Sequence, residues 1–162
     1  MILDIFTLFH VLISLVAIAS GFVVLFGLIH SERRDSWTSV FLTTTAATSI
    51  TGFMFPFHGL TPGIVVGILS VILLAIAIPA RYHFRLAGAW RGTYVITATL
   101  ALYFNVFVLV VQLFRRVPAL KALAPTQSEP PFAVVQLAVL VLFLVLGTLA
   151  TTRFRTEPLR AA

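Results

Sequence analysis

Charged side chains are confined to short clusters, and the tracts between them limit what this chain can fold into. Four tracts carry no charge: residues 5–31, 36–80, 92–114 and 130–152. A helix needs about 20 residues to cross the hydrocarbon core of a bilayer, which is about 30 Å thick. The tracts of 27, 23 and 23 residues therefore fit one crossing each, and the tract of 45 residues is long enough for two.

The longest tract contains its own turn, because Pro56 and Pro62 bracket Gly59 and end helices on both sides. Lipid offers no partners for backbone groups, and the apolar runs do not alternate as barrel strands do, so the spans must be helices. The sequence predicts an all-α polytopic transmembrane bundle, one domain over 1–162. Its five spans are expected at about 4–30, 38–55, 62–80, 92–114 and 132–152. A short interfacial helical turn is expected to begin at Pro118.

The composition excludes a soluble globular domain. The chain is 60% hydrophobic and 10% charged, whereas soluble domains are about 45–50% apolar and about 25% charged. Its formal net charge is +6. The basic residues cluster at the predicted helix ends, where they meet anionic lipid head groups, so membrane lipids are the expected partners and nucleic acid is not.

The span at 38–55 is rich in threonine and serine, so the alternative is four spans plus one re-entrant or interfacial segment. Cytoplasmic loops carry an excess of lysine and arginine. With five crossings, eight of the 11 basic residues lie on one side of the membrane and three on the other. With four crossings the division is six to five. The sequence therefore favours five spans, with the N-terminus outside and the C-terminus in the cytoplasm.

Residues that suit the lipid interface lie at the predicted cytoplasmic boundary. Tryptophan rings prefer head-group depth because one part is apolar and another tolerates water. The interface set is Trp37, Arg81, Arg85, Trp90 and Arg91. His30 and His83 lie at the same boundary among polar neighbours and are interpreted as hydrated interfacial side chains.

Catalytic patterns are missing from the sequence. It has no cysteine, no acidic residue inside a span apart from Asp4 at its edge, and no HExxH, G-x-S-x-G or P-loop motif. An enzyme or a proton-coupled carrier is therefore not favoured.

Polar side chains at similar depth form the candidate binding site. An amide or imidazole inside hydrocarbon is costly unless it is paired, so these residues indicate either interhelical hydrogen bonds or an outward-facing pocket. The candidate ligand-binding residues are His10, Ser14, Thr51, His58, Asn105, Gln112 and Gln136.

His10 and His58 are also the candidate ligands of a haem b, since histidine pairs from facing helices can ligate haem iron. Met54 is the possible replacement for one of them.

Two segments carry a resemblance to a family. His83-Phe84-Arg85-Leu86-Ala87-Gly88-Ala89-Trp90-Arg91-Gly92-Thr93-Tyr94, with His10 in a glycine-containing first helix, resembles small bacterial multi-pass inner-membrane proteins. The segment 117–132 also looks like a family signature. The resemblance implies location in a bacterial inner membrane and little about activity.

Three functions remain open. The leading hypothesis is a non-enzymatic bundle protein that binds a lipophilic ligand or a partner in the outer half of the membrane, the partner being another membrane subunit or a second copy. The alternatives are a b-type haem electron-transfer protein and a facilitator for a small neutral solute.

Overall fold

The structure, a computed structural model, describes residues 2–56 and 59–156, and these residues contain helices and no strand. The helices are α1 (Ile2–Ile29), α2 (Asp35–Phe53), α3 (Pro62–Ile78), α4 (Ala89–Arg116), α5 (Pro118–Leu123) and α6 (Pro130–Arg153). Residues Pro79–His83 continue α3 as one π-helical turn. The helices lie within three residues of the predicted spans, apart from this added turn, and the predicted short helix at Pro118 is confirmed.

Proline starts three of the helices. Pro62, Pro118 and Pro130 each occupy the first turn, where the missing N–H costs nothing because that group has no partner within a helix. Thr61 also caps α3, since its side-chain oxygen accepts a hydrogen bond from the N–H of Ile64 at 3.4 Å. These prolines therefore mark where three of the helices begin.

The long helices form one bundle with two different ends. Residues 30–35, 79–91 and 153–156 meet at one end, here called the arginine end. Residues 54–56, 59–61 and 117–129 connect helices at the other, here called the proline end. Contacts join α1 to α2, α2 to α3, α3 to α4, and α6 to both α4 and α1.

Four helical stretches are long and apolar enough to cross a membrane: Asp4–Ile29, Pro62–His83, Ala89–Arg116 and Pro130–Arg153. The structure therefore supports four crossings, and the five-span bundle is not confirmed. Four crossings fit the alternative in which residues 38–55 are a re-entrant or interfacial segment. The helix α2 has 19 residues but is not among these four stretches, because its threonines and serines lower its hydropathy.

The apolar core lies in the half of the bundle near the arginine end. Along α1, burial begins at Ala17, and the described residues before it are half-buried or exposed. On α3 it begins at Ser70, and on α6 at Phe143. The α1 side chains Leu25 and Leu28 pack there with Phe41 of α2 and with Leu102 of α4. A small second cluster joins Val110, Phe114 and Ala124 near the proline end.

Gly21 allows the closest approach of helices in this core. A Cβ atom at residue 21 would lie 2.5 Å from Leu102 Cδ1 and 2.9 Å from Phe41 Cε2. Without a side chain here, α1 approaches α2 and α4 closely, as small residues permit in membrane bundles. The narrow space that remains between these three helices has no room for a water molecule.

Replacing this glycine should destabilise the bundle. We expect Gly21→Leu to lower the free energy of unfolding by about 1–3 kcal/mol, because overpacking forces neighbouring side chains out of their preferred rotamers. Gly92→Leu is the matched control, since a Cβ atom there meets nothing within 4 Å. Thermal unfolding of the detergent-solubilised variants measures both, and equal transition temperatures would contradict the packing described here.

Candidate functional site

His10 and Thr51 meet near the proline end, where α1 and α2 lie side by side. Nδ1 of His10 is 2.8 Å from the Thr51 hydroxyl oxygen. That hydroxyl donates to the carbonyl of Ala47, 2.7 Å away. A hydroxyl has one proton to donate, so while Thr51 donates to Ala47 it accepts the bond from His10, and this arrangement assigns the imidazole proton to Nδ1. The lone pair of Nε2 is then the one able to accept a hydrogen bond or bind a metal ion.

Aromatic rings and a glycine shape the surroundings of this imidazole. The ring of Phe55 stands edge-on to His10, with 5.2 Å between centroids, and Phe6 packs against Phe55 at 4.9 Å. A Cβ atom on Gly52 would lie 3.6 Å from His10 Cε1, so the α2 backbone comes close to the imidazole. The histidine is half-buried in an apolar, ring-lined corner between two helices.

Further hydrogen bonds continue this polar row along α2 toward the middle of the bundle. Ser14 donates to the carbonyl of His10 at 2.7 Å, and its hydroxyl is 3.5 Å from that of Thr48. Deeper still, the amide nitrogen of Asn105 on α4 donates to Thr45 at 3.1 Å. Four of the candidate residues therefore lie in one row along α2. Thr51 belongs to α2, and His10, Ser14 and Asn105 contact hydroxyls of that helix.

The two candidate glutamines lie away from this row. Gln136 of α6 donates to the carbonyl of Phe107 on α4 at 3.2 Å, and its Oε1 is buried without a partner among the described residues. Gln112 is exposed on α4. A third glutamine, Gln127, donates to the carbonyl of Val111 at 2.8 Å. Sequence reasoning missed it, because a glutamine in a polar connection gives no signal of a bond to a distant helix.

The second candidate haem ligand, His58, lies outside the described residues. Met54, the candidate replacement, is exposed at the end of α2. The described residues contain no group of three or more histidines and carboxylates that could hold a metal ion.

The two histidines of the arginine end are both exposed, in keeping with an interfacial position. Nδ1 of His30 is 2.7 Å from the carbonyl of Phe26 in its own helix. His83 stands edge-on to the ring of Phe84, with 4.7 Å between centroids.

Arg81 does not lie where the sequence prediction put it. Its side chain is 2% exposed, so its guanidinium is not available to lipid head groups. The guanidinium pairs with the carboxylate of Asp35 and donates to the carbonyl of Arg33 at 3.2 Å. It also lies 5.3 Å from the ring centroid of Tyr94, which is fully buried. The π-helical turn after α3 brings this arginine inward and so joins α3 to α2 and α4.

The other predicted interface residues divide into two groups. Trp37 and Arg85 are exposed, and Trp90 stacks parallel to Phe84 with ring centroids 3.9 Å apart. Arg91 is half-buried and donates to the backbone carbonyl of Phe154, the buried residue that follows α6. Arg91 therefore holds the end of α6 against α4.

The segment after α6 closes the arginine end. The backbone N–H of Arg155 donates to the Ser31 hydroxyl at 2.9 Å, and the Arg155 carbonyl lies 3.0 Å from the same hydroxyl. Phe154 is fully buried in the main core beside these bonds. The loop between α1 and α2 and the residues after α6 thus meet at one place.

These features define an all-helical bundle protein with four helices long and apolar enough to span a membrane. The sequence matches no protein-family model, no curated protein and no solved structure.

Removing the carboxylate beside Arg81 should destabilise the arginine end. We expect Asp35→Asn to cost about 1–3 kcal/mol, because it leaves a buried guanidinium without its counter-charge. Glu32→Gln is the matched control: it removes the exposed pair with Arg34 at 2.7 Å and should cost at most about 1 kcal/mol. Chemical unfolding in detergent measures both, and a cost no larger for Asp35→Asn would contradict the burial of Arg81.

Proposed function

We propose that this chain is a five-span bundle protein of a bacterial inner membrane, with its N-terminus outside and its C-terminus in the cytoplasm. Two contacts, one at each end of the bundle, support a crossing by α2. Its first residue, Asp35, bonds Arg81 at the arginine end, and Thr51 bonds His10 near the proline end. The excess of arginine at the arginine end supports the orientation, and the family resemblance supports the bacterial membrane.

We further propose that the protein binds a lipophilic ligand in the outer half of the bilayer, at the corner lined by Phe6, His10, Thr51 and Phe55. The observation that carries this proposal is the bond between His10 and Thr51. It holds a half-buried imidazole inside a charge-free span with Nε2 left as an acceptor. A polar group at such depth needs a partner, and a ligand that donates a hydrogen bond supplies one.

The chemistry of Nε2 narrows the class of ligand. With Nδ1 protonated, Nε2 accepts a hydrogen bond and does not donate one. A ring that carries a hydroxyl, such as a quinol, suits this nitrogen better than a ring that carries only carbonyl oxygens. Phe6 and Phe55 supply the apolar, ring-shaped surroundings for such a molecule.

The packing of the bundle also favours an occupant in this half. The described part of α1 before Ala17 contributes no buried side chain, although α2 lies beside it. Exposed apolar residues there include Leu8, Leu12 and Leu15. The same surface supports the other form of the hypothesis, in which a partner subunit or a second copy packs there in place of a small ligand.

Photolabelling with an azido-benzoquinol, kept reduced in proteoliposomes, tests the ligand proposal. We expect the probe to label the start of α1 and the end of α2, and an excess of unlabelled quinol to prevent this labelling. In the variant His10→Leu the labelling should fall about tenfold, because one hydrogen bond of about 1–1.5 kcal/mol is lost. Thr148→Val, which removes an exposed hydroxyl on α6, is the control and should label as the parent does. The proposal would be overturned by labelling that unlabelled quinol does not reduce, or by labelling that is unchanged in His10→Leu.

A b-type haem protein is the second candidate, because the same geometry orients His10 for metal binding. An imidazole that donates from one nitrogen to a second residue commonly binds metal through the other, and Thr51 provides that orienting bond. Nε2 of His10 would ligate the haem iron, with His58 or Met54 as the expected second ligand.

An absorption spectrum of protein purified after haem-replete expression separates these two candidates. Haem binding predicts a Soret band that disappears in His10→Leu and is kept in the control His30→Leu, because His30 is exposed at the other end. A parent spectrum without a Soret band would end the haem candidate and leave the quinol candidate standing.

A facilitator for a small neutral solute is the weakest candidate. Several hydroxyls of α2 bond to their own helix backbone, as with Thr44, Ser49 and Thr51. Hydroxyls paired in this way favour close helix packing over a hydrated path. Solute flux in proteoliposomes at the rate of empty liposomes would be the expected result.

A further inference from the structure

A basic groove lies at the proline end, where the chain passes from α4 through α5 to α6. Its lining residues are Arg115, Arg116, Lys121, Pro125, Thr126 and Gln127, and its volume is about 550 Å³. Sites for small ligands have volumes of about 300–1,000 Å³. The groove is formed by helices other than those that carry His10 and Thr51, so it is independent of the proposed function.

Packing beneath the groove holds its walls in place. Leu120 and Ala124 pack against Val110 and Phe114 of α4 in the second apolar cluster. Gln127 ties the far wall to α4 through its bond to the carbonyl of Val111 at 2.8 Å. The short helix α5 and the following turn are therefore fixed against α4, and the groove between them is preformed.

The groove is lined by three cations, Arg115, Arg116 and Lys121. Within residues 2–56 and 59–156, no ion pair joins Arg115, Arg116 or Lys121 to an acidic side chain. The acidic group of this connection, Glu129, is bound instead by its own turn. Its carboxylate accepts from the Thr126 hydroxyl at 2.8 Å and from the N–H of Ser128 at 3.1 Å.

The pKa of the Glu129 carboxyl depends on the hydrogen bonds of its own turn. Desolvation tends to raise the pKa of its carboxyl, but the hydrogen bonds from the Thr126 side chain and from backbone N–H groups outweigh it and lower the pKa below its usual value. The carboxylate is therefore ionised at neutral pH and is held by Thr126 and Ser128, and it forms no ion pair with Arg115, Arg116 or Lys121.

The position of the groove relative to the apolar helices indicates its ligand. Arg115 and Arg116 are the last residues of a membrane-length helix, which places their charges at head-group depth. Leu113 and Val117 are exposed beside them and offer apolar surface. A ligand with a phosphate group and acyl chains meets both surfaces, and guanidinium groups are well suited to phosphate.

We propose that this groove is a binding site for the phosphate group of an anionic phospholipid from the leaflet at the proline end. The phosphate lies among Arg115, Arg116 and Lys121, and the acyl chains run along the exposed apolar side of α4. A soluble phosphate compound would share the chemistry of the head group, and the experiment below separates the two sources.

Native mass spectrometry of the detergent-solubilised protein, titrated with phosphatidylglycerol or phosphatidylcholine, measures lipid binding directly. We expect a saturable phosphatidylglycerol site, and a loss of affinity of about a hundredfold in the variant Arg115→Gln/Arg116→Gln/Lys121→Gln. The matched control is Arg33→Gln/Arg153→Gln/Arg155→Gln, which removes the same charge from exposed side chains at the arginine end. Its affinity should stay within about twofold, because its charges lie away from the groove.

The other outcomes overturn the proposal. Equal losses in the two triple variants would mean that net charge alone attracts the lipid. Phosphatidylcholine binding as tightly as phosphatidylglycerol would remove the role of the cations. Inorganic phosphate that raises the thermal stability of the parent, when phosphatidylglycerol does not, would assign the groove to a soluble anion. Should the triple variant not fold, Lys121→Gln alone, a change on the exposed side of α5, must still weaken phosphatidylglycerol binding.

Discussion

A polar group surrounded by lipid must find its partner inside the protein, and this requirement explains the most unusual helix of the bundle. The threonines and serines of α2 would be costly in hydrocarbon if left unpaired. Several of them bond to the carbonyl four residues earlier, as Thr44 does with Val40 and the buried Ser49 with Thr45. Others pair with neighbouring helices, as Thr45 does with Asn105. The same sequence that lowers the hydropathy of α2 thus gives it specific partners on α1 and α4.

The two ends of the bundle differ in how their helices are held together. At the arginine end the helices are packed around large buried side chains, and a buried guanidinium is neutralised by Asp35 and covered by Tyr94. At the proline end α1 and α3 contribute little to a core, and the contact between α1 and α2 there is made by polar and aromatic side chains such as His10, Thr51 and Phe55. Stability therefore resides mainly in one half of the bundle, and the surfaces that are free to bind other molecules lie in the other half.

Sequence patterns predicted the helices well because each is bounded by a strong signal. Charged clusters mark their ends, and Pro62, Pro118 and Pro130 mark three of their starts. The pairing of His10 with Thr51 follows the prediction that both lie at similar depth. The position of Arg81 was not predictable, because it depends on a π-helical turn that redirects the side chain and on an aspartate 46 residues away. Gln112 shows the converse: depth alone does not say which face of a helix a residue occupies.

The contact between Ser31 and Arg155 also bears on the order in which the bundle assembles. It joins residues 124 positions apart, so closing it costs more chain entropy than forming the short connections between neighbouring helices. The helix that leads to it, α6, buries few side chains beyond Phe143 and Ala150 and offers little energy in advance of that closure. We therefore expect the earlier helices to pack together first and the last helix to dock onto them, with the bonds between Ser31 and Arg155 forming last.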